Sequence, residues 1–362
     1  MSGRDCSFAS EAPVDHPSVS GSSSQDERLI VSPDSNHSST SSITPVPEAT
    51  PPVQDPIVDA ELNLDHMELL IHLSTDRSMF SLGDNVGDFF STYSFTLKAG
   101  LESPYLLHQL LAFSARHLAY LHPGRSAHYL HLAVTLQTRA ISLYNASRPE
   151  VDQSNCVAVL LFSVALGHHL LADTLANREP GGLDAFMKHY VQCVEMNRGI
   201  HTVARTAWPL LLESELEPVL SWSAGNTSRP SEGDHCKPLR ELVDNTDGLQ
   251  EDEKEACRQA IEYLQLGFDA LFAEGEAHGN PYQMIFSWTM LAPPEFTSLL
   301  AAKRPEVLIL LSYYALLLYY GRNIWQVGDT GMYIMGLIED YVSPEWHHWL
   351  QYPREIMSSD LR

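Results

Sequence analysis

The chain has 362 residues, of which 44% are hydrophobic, so it can bury one large core or two smaller ones. It carries 22 basic and 46 acidic side chains, which give a formal net charge of −24. Such a molecule repels phosphate, whereas proteins bind nucleic acids by neutralising the backbone with Lys and Arg. We therefore expect no DNA-binding residues and no direct nucleic-acid binding by this chain.

Cysteine usage and hydropathy indicate an intracellular protein. Residues 1–20 lack the basic start and the apolar run of a secretory signal. The longest apolar stretch, residues 307–320, is shorter than the ~20 residues of a membrane-spanning helix, so we expect a buried core helix and no membrane span. The cysteines are scattered, and no two have the short spacing of a zinc-binding loop. They are Cys6, Cys156, Cys193, Cys236 and Cys257.

The chain divides into a polar tail and a helical domain. Residues 1–58 are dense in Ser, Pro, Thr and Asp and cannot bury enough apolar surface to offset their ordering entropy, so a disordered tail is predicted. Residues 59–356 form the predicted helical domain. Its first helix begins at Asn63 or Asp65, which are typical capping residues.

Apolar residues at helical spacing continue through the first half of the domain. Ser103 followed by Pro104 indicates a helix start, and the segment His122-Pro-Gly ends that long buried helix. Other helices are predicted over residues 86–99, 127–144, 155–175 and 183–204. No segment alternates with a period of two, which favours an all-α fold.

A polar interval separates the two halves of the domain. Residues 223–249 are rich in Gly, Ser, Asn, Asp and Pro, so a mobile surface loop is predicted there. A helix resumes at about Glu251, where acidic residues in the first turn suit the helix dipole. Later helices are predicted over residues 283–291, 294–302, 305–320, 325–341 and 344–351.

Two blocks of the sequence resemble a known family. The first begins Asp65-His-Met-Glu-Leu-Leu-Ile-His-Leu and continues through Ser103-Pro-Tyr-Leu-Leu-His-Gln-Leu-Leu, and the second begins Pro305-Glu-Val-Leu-Ile-Leu-Leu. With the segment from Trp208 to Trp222 and the terminal Trp346-His-His-Trp, they resemble the fungal-specific regulatory domain of zinc binuclear cluster transcription factors. The branch that contains sterol uptake control proteins is the most similar. The resemblance covers most of residues 64–222 and 282–356.

The resemblance implies an α-helical regulatory domain, a role in transcription and nuclear localisation, with shuttling from the cytoplasm left open. The family reads DNA with six cysteines that hold two zinc ions in a basic segment, but only Cys6 precedes residue 156 here. We expect either an upstream exon that encodes this module or a regulator that reaches DNA through a partner. Other transcription regulators and an apolar effector from a sterol or secondary-metabolite pathway are the expected partners. A homodimer remains open, because the usual coiled-coil heptads are missing.

Aromatic and methionine residues near the carboxyl end are candidates for a pocket that admits a lipid-like ligand. The candidates include Phe286. The seven that we propose as ligand-binding are Met284, Trp288, Tyr313, Leu317, Tyr320, Trp325 and Met332. The alternative interpretation is that such residues at helical spacing fill the core. A lipid- or metabolite-binding protein outside transcription is therefore the competing functional hypothesis.

The sequence predicts neither an enzyme nor a cofactor. Adjacent histidines, as in His168-His169 and His347-His348, point about 100° apart on a helix and cannot chelate a metal ion together. No metal site is predicted from these residues. The chain also lacks the nucleophile-elbow, zinc-protease, P-loop and dinucleotide patterns, so no catalytic residue is proposed.

Overall fold

A computed structural model describes residues 62–76, 78–80, 89–147, 150–272 and 282–359. These residues are all-α and contain no strand, which confirms the predicted fold class. They belong to one compact unit, Glu61–Arg362. The predicted disordered tail lies outside the described residues, as does the start of the helix predicted over residues 86–99.

The described residues of the first half contain six α-helices, most of which begin where the sequence predicts. The side chain of Asn63 accepts a hydrogen bond of 3.0 Å from the backbone N–H of His66, as the predicted cap requires. Ser103 precedes the next long helix and Pro104 opens it. The helices are α1 Leu64–Thr75, α2 Phe89–Glu102, α3 Pro104–Leu121, α4 Ser126–Ser147, α5 Cys156–Ala176 and α6 Gly182–Leu211.

The described residues of the second half contain eight α-helices. They are α7 Glu217–Thr227, α8 Lys237–Asn245, α9 Glu251–Phe272, α10 Gln283–Leu291, α11 Pro294–Ala301, α12 Pro305–Tyr320, α13 Thr330–Tyr341 and α14 Gln351–Ser359. The bounds of α10 and α12 match the predictions. Residues 344–350, predicted as α-helix, form a 3-10 helix that runs directly into α14.

The loop predicted over residues 223–249 is wrong in two stretches. It contains the end of α7 and the whole of α8. Helix α8 buries Leu239, Leu242 and Val243, three apolar residues at helical spacing in an otherwise polar segment. Three buried apolar side chains are enough to pack a nine-residue helix, and the polar composition of the segment masks this one-sided pattern.

The helix predicted to begin at Trp325 also begins later than expected. Turns occupy the segment before α13, and Gly328 adopts a φ of +51°, a left-handed conformation that glycine tolerates best. The hydroxyl of Thr330 then donates to the carbonyl oxygens of Val327 and Leu175, which fixes the start of α13 against α5. Trp325 therefore lies in a turn and outside the helix.

Helix α12 forms the centre of the larger core, as its apolar sequence predicts. It is buried from Glu306 to Tyr319 and packs against α8, α9, α10, α11, α13 and α14. Two buried side chains join neighbouring helices: the indole N–H of Trp288 donates to the carbonyl of Ala260 at 2.8 Å, and the hydroxyl of Tyr314 donates to that of Ile285 at 2.6 Å. These two polar atoms of the core are thus paired with backbone.

Helix α5 is the one described helix that is long and apolar enough to cross a membrane by length and composition. More than half of its most apolar window is buried inside the protein, and twelve of its residues are buried overall. It packs against α3 on one side and α6 on the other. Core helices of globular proteins can be as long and as apolar as α5, so these two properties are weak evidence for a membrane span.

Candidate ligand cavity

A largely apolar cavity of about 410 Å³ lies between α5, α6, α7 and α10. Its volume falls in the range of small-molecule sites in proteins. Most of its wall is aliphatic or aromatic, and among the described residues none of the side chains that line it is acidic. The apolar lining residues are Leu160, Val164, Leu171, Ala204, Trp208, Val219, Leu220, Ala224, Phe286, Met290 and Leu291.

Each helix contributes one face to this cavity. On α10, Gln283, Phe286 and Met290 are separated by three and four residues and therefore lie on the same side. On α7, Leu220 and Ala224 are four residues apart. The opposite face of α10 carries the buried Met284 and Trp288, which pack into the core. One short helix thus separates the cavity from the main core.

One residue of the cavity wall carries a buried polar atom without a partner among the described residues. Asn197 on α6 is 5% exposed, and its Oδ1 atom has no hydrogen-bond partner among the described residues. Its Nδ2 atom makes only a contact of 3.5 Å with the sulfur of Cys193, a weak acceptor. A buried, unpaired amide oxygen costs about 1–3 kcal/mol, and a ligand donor that reached this oxygen would relieve that cost.

The single charged side chain that lines the cavity is Arg205, two turns after Asn197 on α6. It is exposed, and the structure gives it no ion pair with another described residue. Among the described residues of the wall, no acidic side chain neutralises this guanidinium, although the whole chain is strongly acidic. The cavity therefore suits a molecule with an apolar body and an anionic or strongly accepting group.

Two further polar contacts shape the wall. The imidazole of His168 lies 4.7 Å from the ring of Phe286, and its Nδ1 atom lies 3.3 Å from Nε2 of Gln326. Burial lowers the pKa of His168 to about 4, so this ring is neutral at neutral pH. The side chain of Gln283 donates to the hydroxyl of Ser223 at 3.0 Å and ties α10 to α7.

None of the seven residues proposed from the sequence as pocket-lining lines this cavity. Met284, Trp288, Tyr313 and Leu317 are each at most 3% exposed and fill the core. Tyr320 packs edge-on against Phe272 on the outer side of that core. Apolar residues that fill a core and those that line a cavity have the same helical spacing, so the sequence pattern selected core residues.

The remaining two residues lie elsewhere. Trp325 packs beside Phe113 in the core formed by α1, α3, α4 and α5, and Met332 is 39% exposed on α13. Phe286, named with the candidates, does line the cavity. The sequence does not predict Asn197, Arg205 or the α7 residues as parts of a site. Its one signal is Arg205 itself, a basic residue in the apolar part of α6.

A scan of the sequence against models of known protein families matches none of them, and a search of curated proteins finds no match.

Proposed function

We propose that this protein is a ligand-responsive regulator of transcription whose helical domain binds an apolar small molecule in the cavity between α5, α6, α7 and α10. The observation that carries the proposal is the cavity itself, with its apolar wall and the unpaired Asn197 oxygen. The sequence resemblance to fungal regulatory domains supports the transcriptional part. The net charge of −24 supports contact with DNA through a partner protein in the nucleus.

The lining residues narrow the class of ligand. Its apolar body would fill the space beside Trp208 and Phe286, a hydroxyl or N–H group would donate to Asn197, and an acceptor would face Arg205 at the cavity wall. A hydroxylated, sterol-like or secondary metabolite with an acidic or carbonyl group has this pattern. Such a ligand would bury apolar surface, which contributes about 25 cal/mol per Å².

Helix α7 is the element through which binding would be transmitted. It contains no fully buried residue, yet Val219, Leu220 and Ala224 face the cavity. A ligand would bury these side chains and hold α7 more tightly against α6 and α10. Elements with few buried contacts lie at the low-stability end of a fold and respond most to a ligand. A partner that contacts α7 would therefore sense the ligand.

The binding proposal can be tested with the dye anilinonaphthalene sulfonate, which combines an apolar body, an N–H donor and an anionic group. We expect saturable binding to the full chain, with increased dye emission and quenching of Trp208. The Ala224→Phe variant places a ring in the cavity and should bind the dye at least about tenfold more weakly, since a filled site excludes it. The matched control is Ala127→Phe, an exposed position of α4 that does not line the cavity. Equal dye affinity in both variants would disprove the site.

The competing proposal is a lipid- or metabolite-binding protein outside transcription, and the same cavity favours it. The two proposals differ in the cellular site at which the full chain acts. A reporter that responds to the chain fused to a heterologous DNA-binding domain supports regulation of transcription. Dye binding in the cavity together with an unresponsive reporter and an exclusively cytosolic protein supports the competing proposal.

A further inference from the structure

Three metal-ligating side chains meet where α1 packs on α3. His72 and Asp76 come from the end of α1, and His117 comes from α3. Nε2 of His72 lies 3.0 Å from Nδ1 of His117, and Nδ1 of His72 lies 3.8 Å from Oδ2 of Asp76. One ligand atom from each of the three residues lies within 4.8 Å of the other two.

We propose that His72, Asp76 and His117 bind a divalent transition-metal ion, with Zn²⁺ as the best match. Two imidazole nitrogens and one carboxylate are a ligand set that zinc accepts with a fourth position left to water. Imidazole nitrogens disfavour Mg²⁺ and Ca²⁺, which prefer oxygen. The proposal goes beyond the cavity and does not depend on it.

The distances between the ligand atoms suit the ion. With Zn–N bonds of about 2.0–2.1 Å in tetrahedral geometry, two imidazole nitrogens stand about 3.4 Å apart. The two histidine nitrogens are 3.0 Å apart, so a small rotation of either ring makes room for the ion. On binding, the proton between them would move to the other nitrogen of the ring that carries it, so that both facing lone pairs are free for zinc.

The surroundings orient the ligands. The Oδ1 atom of Asp76 accepts the backbone N–H of Ser78 at 2.8 Å and its hydroxyl at 2.6 Å, which directs Oδ2 towards His72. His117 is 1% exposed, and its ring lies 4.7 Å from the ring of Trp325. The indole N–H of Trp325 donates to the carbonyl of Met79 at 2.9 Å and holds the ring there. A hydrogen-bonded second partner, such as Ser78 beside Asp76, is typical of metal sites.

A simple hydrogen bond between two neutral histidines is the competing account of this cluster. The separation of 3.0 Å between Nε2 of His72 and Nδ1 of His117 is that of a hydrogen bond and is also close to the spacing of two zinc ligands. The carboxylate distinguishes the two accounts. In the hydrogen-bond account Asp76 only faces Nδ1 of His72, whereas in the metal account its carboxylate supplies the anionic ligand that lowers the net charge of the bound ion.

The test is a Zn²⁺ titration of the chelator-treated full chain, followed by competition with a chromophoric chelator and by Trp emission. We expect one ion per chain, a change in Trp325 emission, and a melting temperature that rises by about 5 °C at a free Zn²⁺ concentration of about 100 times Kd. The His117→Ala and Asp76→Asn variants should lose at least about tenfold in affinity, since even second-shell partners contribute 10–100-fold. Asp76→Asn preserves the shape and keeps an acceptor for Ser78.

The control variant is His189→Ala. His189 pairs with a single carboxylate, Glu179, at 3.1 Å and has no third ligand among the described residues, so its loss should leave the Zn²⁺ affinity unchanged. Circular dichroism of each metal-free variant identifies misfolding. Absence of Zn²⁺ binding to the wild-type chain, or equal affinity in the wild type and Asp76→Asn, would overturn the proposal and leave the histidine pair as a plain hydrogen bond.

Discussion

Replacing Asn197 with leucine should make the protein more stable and its cavity a weaker binding site. Asn197 is 5% exposed, and its Oδ1 atom has no partner among the described residues. An unpaired buried amide oxygen costs about 1–3 kcal/mol. The substitution also removes the contact of 3.5 Å between Nδ2 and the sulfur of Cys193, which contributes little because sulfur is a weak acceptor.

The net result is a gain of about 1 kcal/mol in the free energy of unfolding of Asn197→Leu, or about 2–4 °C in melting temperature. The affinity for anilinonaphthalene sulfonate should fall by about fivefold to tenfold, because its N–H group loses an acceptor. Higher stability with weaker binding is typical of residues kept for function. Urea unfolding and dye titration measure the two effects.

The control is Gln109→Leu. Gln109 is fully buried and also has an unpaired side-chain oxygen, but it does not line the cavity. Its amide N–H faces His169 at 3.3 Å, so the substitution should leave dye binding unchanged whatever it does to stability. A loss of more than about 1 kcal/mol in Asn197→Leu would refute the reasoning, because it would mean that the Asn197 oxygen is satisfied in the unliganded protein.

Three further predictions concern the core and its titratable groups. Trp288→Phe loses the 2.8 Å bond to Ala260 and indole volume, so the free energy of unfolding in urea should fall by about 2–4 kcal/mol. Burial lowers the pKa of His168 to about 4, so between pH 6.5 and 4 the unfolded chain binds the extra proton. Unfolding in urea should therefore show stability falling as the pH falls, and the loss from pH 7 to pH 5 should be about 2 kcal/mol smaller in His168→Phe. Burial raises the pKa of Cys193 to about 11 and that of Cys257 to about 12, so mass spectrometry should find both thiols unlabelled by iodoacetamide at about pH 8 unless urea is present.

Much of the helical fold can be predicted from short-range patterns. Proline at the first position and a continuous apolar run define α12, and its predicted bounds are those of the structure. The sequence does not predict helix α8, because its three buried apolar residues stand among polar ones. The apolar residues around Trp325 continue into α13 and predict one helix, whereas the left-handed conformation of Gly328 ends the turns before α13 begins.

The candidate sites could not be predicted, because both depend on distant parts of the chain. Asn197 and Phe286 come to one cavity from helices almost ninety residues apart, and no local pattern records that pairing. His72 and His117 are 45 residues apart, and each alone is an ordinary helical histidine. An empty wall and a packed wall have the same apolar periodicity, so the sequence favoured Trp288 of the core over Trp208 of the cavity.

The central claim is that a ligand in the cavity controls transcription, and one reporter experiment tests it most directly. The full chain is fused to a heterologous DNA-binding domain and compared with its Ala224→Phe and Ala127→Phe variants during growth with and without sterol or other apolar supplements. We predict that the wild type and Ala127→Phe change reporter output with the supplement and that Ala224→Phe does not, because its cavity is filled. A reporter that stays silent in all three, or that responds equally in all three, would contradict the account.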